Sequence, residues 1–297
     1  MSDITFALGI PHAAHLPERV KTLDGLICGL ETQWIEDNQI GWLDGPHNAG
    51  LRYVKIFGRK CHHSEWASET WHWQLKTGAS HCLTLQDDVR VMPRFWEALH
   101  AMVTAVPDQV LALETVHPAA KHFAREHLGR WITTADGLIG VQYVFPHAVM
   151  REFLEWQRCH LERDAERYIT EDLMIDCFLI DTDRKAWHPI PAIAEHDTDI
   201  PSTNKGHDAH PFRNVTVKWS DGVYCAKPDG SPGWTTEDLV RPEFWLQESA
   251  PQHMGRFYGG THAKARQWVP RFGDEEFDRV ENDLPPAKFA KEMGRVR

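Results

Sequence analysis

The stretch Leu83-Thr84-Leu85-Gln86-Asp87-Asp88-Val89 decides how this chain is read. Residues His81–Val89 have the makings of a buried strand that runs straight into two adjacent carboxylates. In an open α/β sheet, such a strand delivers its last residues to the carboxyl edge, where ligands bind. Neighbouring carboxylates repel each other, and a hard divalent cation is the common remedy. The plain alternative is an acidic strand end or an Asp capping the next helix. Spacing alone does not separate the two.

Working outward, Ile4–Ile10 is a compact apolar run ended by Pro11, the pattern of a buried strand. Val20, Leu23, Ile27 and Leu30 follow at helical spacing, with Pro17 suited to a first turn. Tyr53–Phe57 reads as a strand, and Ser64–Lys76 as a helix that buries Trp66, Trp73 and Leu75 and stops at Gly78. Phe95, Leu99, Met102 and Val106 mark a further helix opened by Pro93. Val110–Leu113 and Leu138–Phe145 read as strands, and Val149, Phe153, Trp156 and His160 as the helix after the second. Strands alternating with helices over about the first 200 residues imply an α/β layered domain with a mostly parallel sheet. From about Asp197 the pattern gives way to mixed Pro, Gly, Asp and Trp, as in Pro228-Asp229-Gly230-Ser231-Pro232-Gly233-Trp234. We therefore expect a catalytic domain over 1–206 and a loop-rich C-terminal extension, an acceptor or lid region, over 207–297.

Composition narrows the function. The 297 residues carry 32 Lys and Arg against 43 Asp and Glu, a formal net charge of −11, which opposes non-specific coating of nucleic acid. Between Leu161 and Ile200 eleven acids face four bases, whereas from Lys205 to Gly230 four bases face three acids. Gathered carboxylates suit a cation, and the mildly basic, His- and Trp-containing stretch after them suits an acceptor with phosphates. No apolar run approaches the roughly 20 residues of a membrane span. The six cysteines are scattered without a C-x-x-C pair, which points to a reduced, cytoplasmic protein. Phosphate-binding, dinucleotide-binding, nucleophile-elbow and zincin motifs are absent. Cys61-His62-His63 has no second zinc half-site at ligand spacing, so loop histidines are the better reading.

Two further stretches carry acids or imidazole in suggestive places. Thr170-Glu171-Asp172-Leu173 opens a helix whose apolar face is Leu173, Cys177 and Ile180. Acids in a first turn offset the helix dipole in any protein, and the alternative is a positioned general base. Glu195-His196-Asp197 follows a Pro-rich strand segment and precedes Pro201-Ser202-Thr203-Asn204-Lys205-Gly206. A neutral imidazole there is a fair ligand for a borderline cation, or a satisfied structural histidine.

In this order, a strand ending in Asp-Asp, a helix opening in Glu-Asp, and Pro-x-x-x-x-His before a Ser/Thr/Lys loop, the chain resembles glycosyltransferases of GT-A fold. The resemblance covers about Ile4 to Lys205 and extends to lipooligosaccharide galactosyltransferase-like and related bacterial and phage families. It implies a Rossmann-like α/β fold and transfer of a sugar, a hexose or related, from a nucleoside-diphosphate donor to a hydroxyl acceptor. A divalent metal, Mn2+ or Mg2+, would be held by Asp88 and His196. Gln86 stands where the family carries an acid facing the ribose; an amide can still hydrogen-bond a hydroxyl. Asp87 would reach the sugar or the metal's waters. The Pro11–Arg19 loop resembles the nucleotide-binding loop, with Arg19 serving base or phosphates and Lys205 pairing with the diphosphate. Asp172 is the implied catalytic base, Glu171 its substitute, and the stereochemistry inverting. A glycan acceptor is favoured over hydroxymethylated DNA because of the net charge. The competing readings are a metal-dependent phosphoryl or nucleotidyl transferase and a non-catalytic carbohydrate- or nucleic-acid-binding module.

Overall fold

The computed structural model describes residues 4–30, 32–35, 39–42, 51–58, 63–115, 129–134, 142–160, 171–196, 223–224, 233–246 and 251–253. The elements run β1 (Phe6–Pro11), α1 (Pro17–Gly29), β2 (Thr32–Ile35), β3 (Gln39–Trp42), β4 (Leu51–Phe57), α2 (His63–Thr77), β5 (His81–Thr84), β6 (Val89–Val91), α3 (Phe95–Ala105), β7 (Val110–Ala112) and β8 (Trp131–Thr134). There follow β9 (Tyr143–Pro146), α4 (His147–His160), α5 (Glu171–Asp181), β10 (Ala186–Pro189), β11 (Ala194–His196), β12 (Val223–Tyr224), β13 (Trp234–Thr235), α6 (Thr236–Leu239), α7 (Pro242–Trp245) and β14 (Gln252–His253).

Eight of these strands form one sheet in the order β14-β8-β10-β7-β9-β5-β1-β4. Alternation along each strand splits its side chains between two cores. Phe6, Leu8, Ile10, Leu83, Leu111 and Val144 face α1 and α3. Cys82, Val110, Ala112, Tyr143 and Phe145 face α2, α4 and α5. The α/β class with flanking helices is as the sequence implies, but the sheet is more evenly mixed than expected. Strand β1 is parallel to β4 and β5, β7 to β10, and β8 to β14, while β9 runs against β5 and β7, and β8 against β10. The reversal at β9 comes from where its chain arrives. Gln142 O accepts from Leu113 N–H at one edge, and His147 N–H reaches Ser80 O at the other.

Several elements form for legible reasons. Pro17 opens α1, where a missing N–H costs nothing. Gly78, at φ +71°, ends α2 in the left-handed conformation that a side chain resists. The buried stripe of α2 is Ala67, Thr70, Trp71 and Gln74, whereas Trp66, Trp73 and Leu75, expected inside, are only half-buried. The stripe is set by what it meets. Trp71 Nε1 donates to Tyr143 Oη at 2.5 Å, and Gln74 Nε2 donates to the carbonyls of Ala7 and Leu83. Helix α5 buries Met174, Ile175, Cys177, Phe178 and Leu179, more of its circumference than one apolar face.

The C-terminal stretch does not build its own core among the described residues. Trp234, Leu239 and Trp245 belong to the first core, and β14 extends the main sheet beside β8. Arg130 lies over the rings of Trp234 and Phe244 at 4.6 and 4.3 Å, and Arg94 pairs with Glu237 at 2.5 Å. Residues 233–246 are thus packed against the unit assigned to 1–206, and Trp234 and Trp245 are core side chains rather than open stacking platforms. No helix among the described residues is long and apolar enough to cross a membrane.

Candidate functional site

Strands β1 and β5 are neighbours, and the chain leaves β1 toward β4 but leaves β5 toward β7, in opposite directions along the sheet. Helix α1 packs on one face and α2 on the other. That divergence opens a crevice outside the carboxyl ends of β1 and β5, the usual ligand position of an open α/β sheet. Pro11 ends β1 there, and Gln86, Asp87 and Asp88 follow β5. The strand expected over His81–Val89 stops at Thr84, because the chain turns at Asp87-Asp88 and restarts as β6.

The turn is pinned by its own acids. Asp87 Oδ2 accepts from Ala13 N–H and lies 2.8 Å from His12 Nδ1, while its Oδ1 accepts from Arg19 Nη1 at 2.9 Å. The same Nη1 lies 2.5 Å from Asp88 Oδ2. All three side chains are almost out of water, and paired, hydrogen-bonded charges are the only kind that a buried site holds cheaply. Arginine in a first helical turn opposes the helix dipole, so its place in α1 is explained by these carboxylates rather than by the helix. Asp87 is thereby turned toward the β1 loop. Arg19, expected at the nucleotide, pairs with both carboxylates. Asp88 Oδ1 is different: it is buried and has no hydrogen-bond partner among the described residues.

Strand β11 brings in the histidine. It pairs antiparallel with β6 in a register that sets His196 opposite Val89, Glu195 opposite Arg90 and Ala194 opposite Val91. His196 and Asp88, 108 positions apart, thus arrive side by side. The imidazole Nδ1 lies 2.7 Å from Glu114 Oε2, and the His196 backbone N–H reaches Glu114 Oε1 at 3.4 Å. Nε2 lies 3.4 Å from Gln86 Oε1, and the Gln142 amide sits 3.2 Å from Nδ1 and 3.4 Å from Nε2. Burial pulls the ring's pKa down, but the charges of Glu114 and Asp88 outweigh it and lift it to about 9. His196 keeps 29% of its side chain exposed.

At the same edge, β9 begins with Tyr143 opposite Thr84. The charge of Glu171, at the start of α5, acts on this tyrosine, whose hydroxyl is pushed up mainly by burial. Burial also lifts the Glu171 carboxyl, with the charge of Asp172 adding to it, to about 8. Asp172 is half-buried and its Oδ1 accepts from the Leu173 N–H.

Sequence reasoning missed His12, Glu114 and Gln142. Glu114 carried the same signal as Asp87 and Asp88, an acid directly after an apolar strand, in Val110-Leu111-Ala112-Leu113-Glu114. Lys205, Thr170 and the Cys61-His62 pair lie outside the described residues, as does the basic stretch 205–222.

Neither a family model nor a curated protein matches the sequence. Among solved structures the chain is similar to A197 from STIV, at 12% identity and a TM-score of 0.38, over 86% of this chain and 100% of that one. A likeness at that level carries no argument about function.

The donor set can be tested against a divalent cation. Among the described residues no group of three or more His, Cys, Asp or Glu forms a cage for a metal. Magnesium-like cations, however, are commonly held by one or two carboxylates while the substrate's phosphates and water supply the other oxygens. Asp88 Oδ1, buried and without a partner, beside the exposed edge of His196, fits that kind of site.

Proposed function

We propose that the chain is a metal-dependent glycosyltransferase of GT-A fold that moves a sugar from a nucleoside diphosphate to a hydroxyl acceptor, with inversion at the anomeric carbon. The observation that carries this reading is Asp88 Oδ1, buried and without a hydrogen-bond partner among the described residues, near His196 at the carboxyl edge where the β1 and β5 connections diverge.

Charge supports it. Asp87, Asp88 and Glu114 are three carboxylates facing one fixed cation, Arg19, and the His196 imidazole, which must give up its Nε2 proton to hold a metal. Such a cluster stays net negative and repels a diphosphate unless another cation comes with it. Asp88 and His196 would hold Mn2+ or Mg2+, which when bound would supply Lewis-acid neutralisation of the leaving diphosphate. Arg19 grips Asp88 through Oδ2 and so leaves Oδ1 for that cation. Gln86, half-buried beside the ring, can offer its amide to a ribose hydroxyl.

An acceptor hydroxyl attacks poorly until a base takes its proton. Asp172 and Glu171 both stand at the sheet edge for that task. Glu171 has the better environment, because a carboxyl lifted to about 8 holds a proton more strongly once it has taken it. A glycan or other small hydroxyl acceptor agrees with the net charge of −11 better than a long DNA footprint does.

The test is a panel of nucleoside-diphosphate sugars with Mn2+, offered with oligosaccharides and separately with hydroxymethylated duplex DNA. Metal-dependent release of diphosphate, and an inverted glycoside, is the expected result. No consumption of any donor, or consumption indifferent to metal, refutes the reading. Sugar transferred to DNA would move the acceptor assignment.

A further inference from the structure

Resting on the donor-site reading above, we infer that Glu114 is a positioning residue that fixes the His196 imidazole with Nδ1–H donated inward and Nε2 left for the metal. Glu114 does so without touching substrate or metal itself. The carboxylate follows β7 and is buried, and it grips residue 196 at two points, the ring Nδ1 at 2.7 Å and the backbone N–H at 3.4 Å. Two contacts from one carboxylate fix both the place of the residue and the rotation of its ring. The loop joining β10 to β11 is tied to the same place, since Leu113 O accepts from Ile193 N–H and Ala194 N–H. Glu114 and the β10–β11 connection are therefore both held at the end of β7.

A ring whose Nδ1 carries its proton toward a carboxylate presents Nε2 as the lone-pair nitrogen when it is neutral. Carboxylates placed this way behind a metal-ligating imidazole set its tautomer and raise its basicity, and losing one typically weakens metal binding 10–100-fold. Gln142 adds a second constraint. Its amide lies against the ring nitrogens and can offer oxygen to an N–H or N–H to a lone pair, so it tolerates the ring in either state.

The experiment uses the full chain labelled with 15N-histidine. A low-field, slowly exchanging imidazole N–H signal that is absent from His196→Ala identifies the Nδ1 proton. Glu114→Ala, which leaves no acceptor for the ring proton, should abolish that signal and weaken Mn2+ binding, titrated in the presence of UDP, GDP or ADP, by about 10–100-fold with the fold intact. Persistence of the signal, or its loss with unchanged Mn2+ affinity, would overturn the positioning role alone. Wild-type chain that takes up no Mn2+ with any of the diphosphates would overturn the donor-site reading on which the inference rests. If Glu114→Ala does not fold, Glu114→Asp, shorter by one methylene, is read by the same signal and the same titration.

Discussion

Arg19 and Asp88 meet through a single guanidinium nitrogen, Nη1, 2.5 Å from Asp88 Oδ2, with both side chains almost out of water. The same nitrogen holds Asp87, so one buried cation is shared by the two adjacent acids that the sequence displays. This contact decides which carboxylate oxygen remains for a ligand.

Removing that cation should be expensive. Arg19→Ala removes the cation that two buried carboxylates share, and breaking a buried pair on one side typically costs about 3–5 kcal/mol. Urea denaturation should show the loss as a lower midpoint. Arg19→Lys should recover only part of it, because an ammonium is a compact point charge without the planar fork of a guanidinium. An Arg19→Ala chain as stable as wild type would mean that the acids are solvated or neutral.

Close packing between β1 and α2 gives a second expectation. A Cβ on Gly9 would stand 2.2 Å from Thr70 Cγ2 and 3.3 Å from Gln74 Nε2. Gly9→Ala should therefore destabilise the chain by about 1–3 kcal/mol through overpacking. Adding Thr70→Ser, which removes that methyl group, should restore most of the loss in thermal melts. Equal stability of the single and double variants would place the strain elsewhere.

How far these features were legible depends on what kind of signal each leaves. Pro17, Gly78 and the stripe Leu23, Ile27 and Leu30 act locally, through backbone conformation and helical period, and their elements formed where expected. The direction of β9 leaves no such trace, since an apolar strand reads alike in both directions. The phase of α2 was misjudged because Trp66, Trp73 and Leu75 were expected inside for their apolar bulk, while Gln74 went inside to meet two carbonyls. At the site, Asp88 and His196 were singled out by the order of motifs that resembles GT-A glycosyltransferases. Their meeting depends on the β6–β11 register, and the engagement of Arg19 with both acids on the packing of α1, neither of which is written in any short motif.

Glu171 makes the pH dependence specific. Its carboxyl is raised in the folded chain to about 8. The unfolded chain ionises it from the ordinary carboxyl range upward, so stability is full at low pH, falls as pH rises toward about 8, and is level above that. The slope is at most about 1.4 kcal/mol per pH unit. Glu171→Gln cannot ionise and should remove this part of the fall in melts between about pH 5 and pH 8. A variant with the wild-type slope would show that Glu171 is already ionised in the fold.

The same shift bears on turnover. A base must be ionised to accept a proton, so with Glu171 in that role the rate should climb with pH and level off above about 8. Glu171→Gln should then retain donor binding and lose transfer, while Asp172→Asn should keep most of the rate. A profile already flat from about pH 6 to about pH 9 excludes Glu171, and an inactive Asp172→Asn chain moves the role next door.

The central claim is that Asp88 Oδ1 is reserved for a cation that arrives with a diphosphate, and calorimetry on wild type and Asp88→Asn tests it most directly. The wild-type chain should bind one of a panel of nucleoside diphosphates tightly with Mn2+ and poorly without it. Asp88→Asn should fold and melt like wild type, because its side-chain oxygen can still accept from Arg19, yet lose the metal-dependent part of the binding. Diphosphate bound equally well by both proteins, or equally well without metal, would contradict the account.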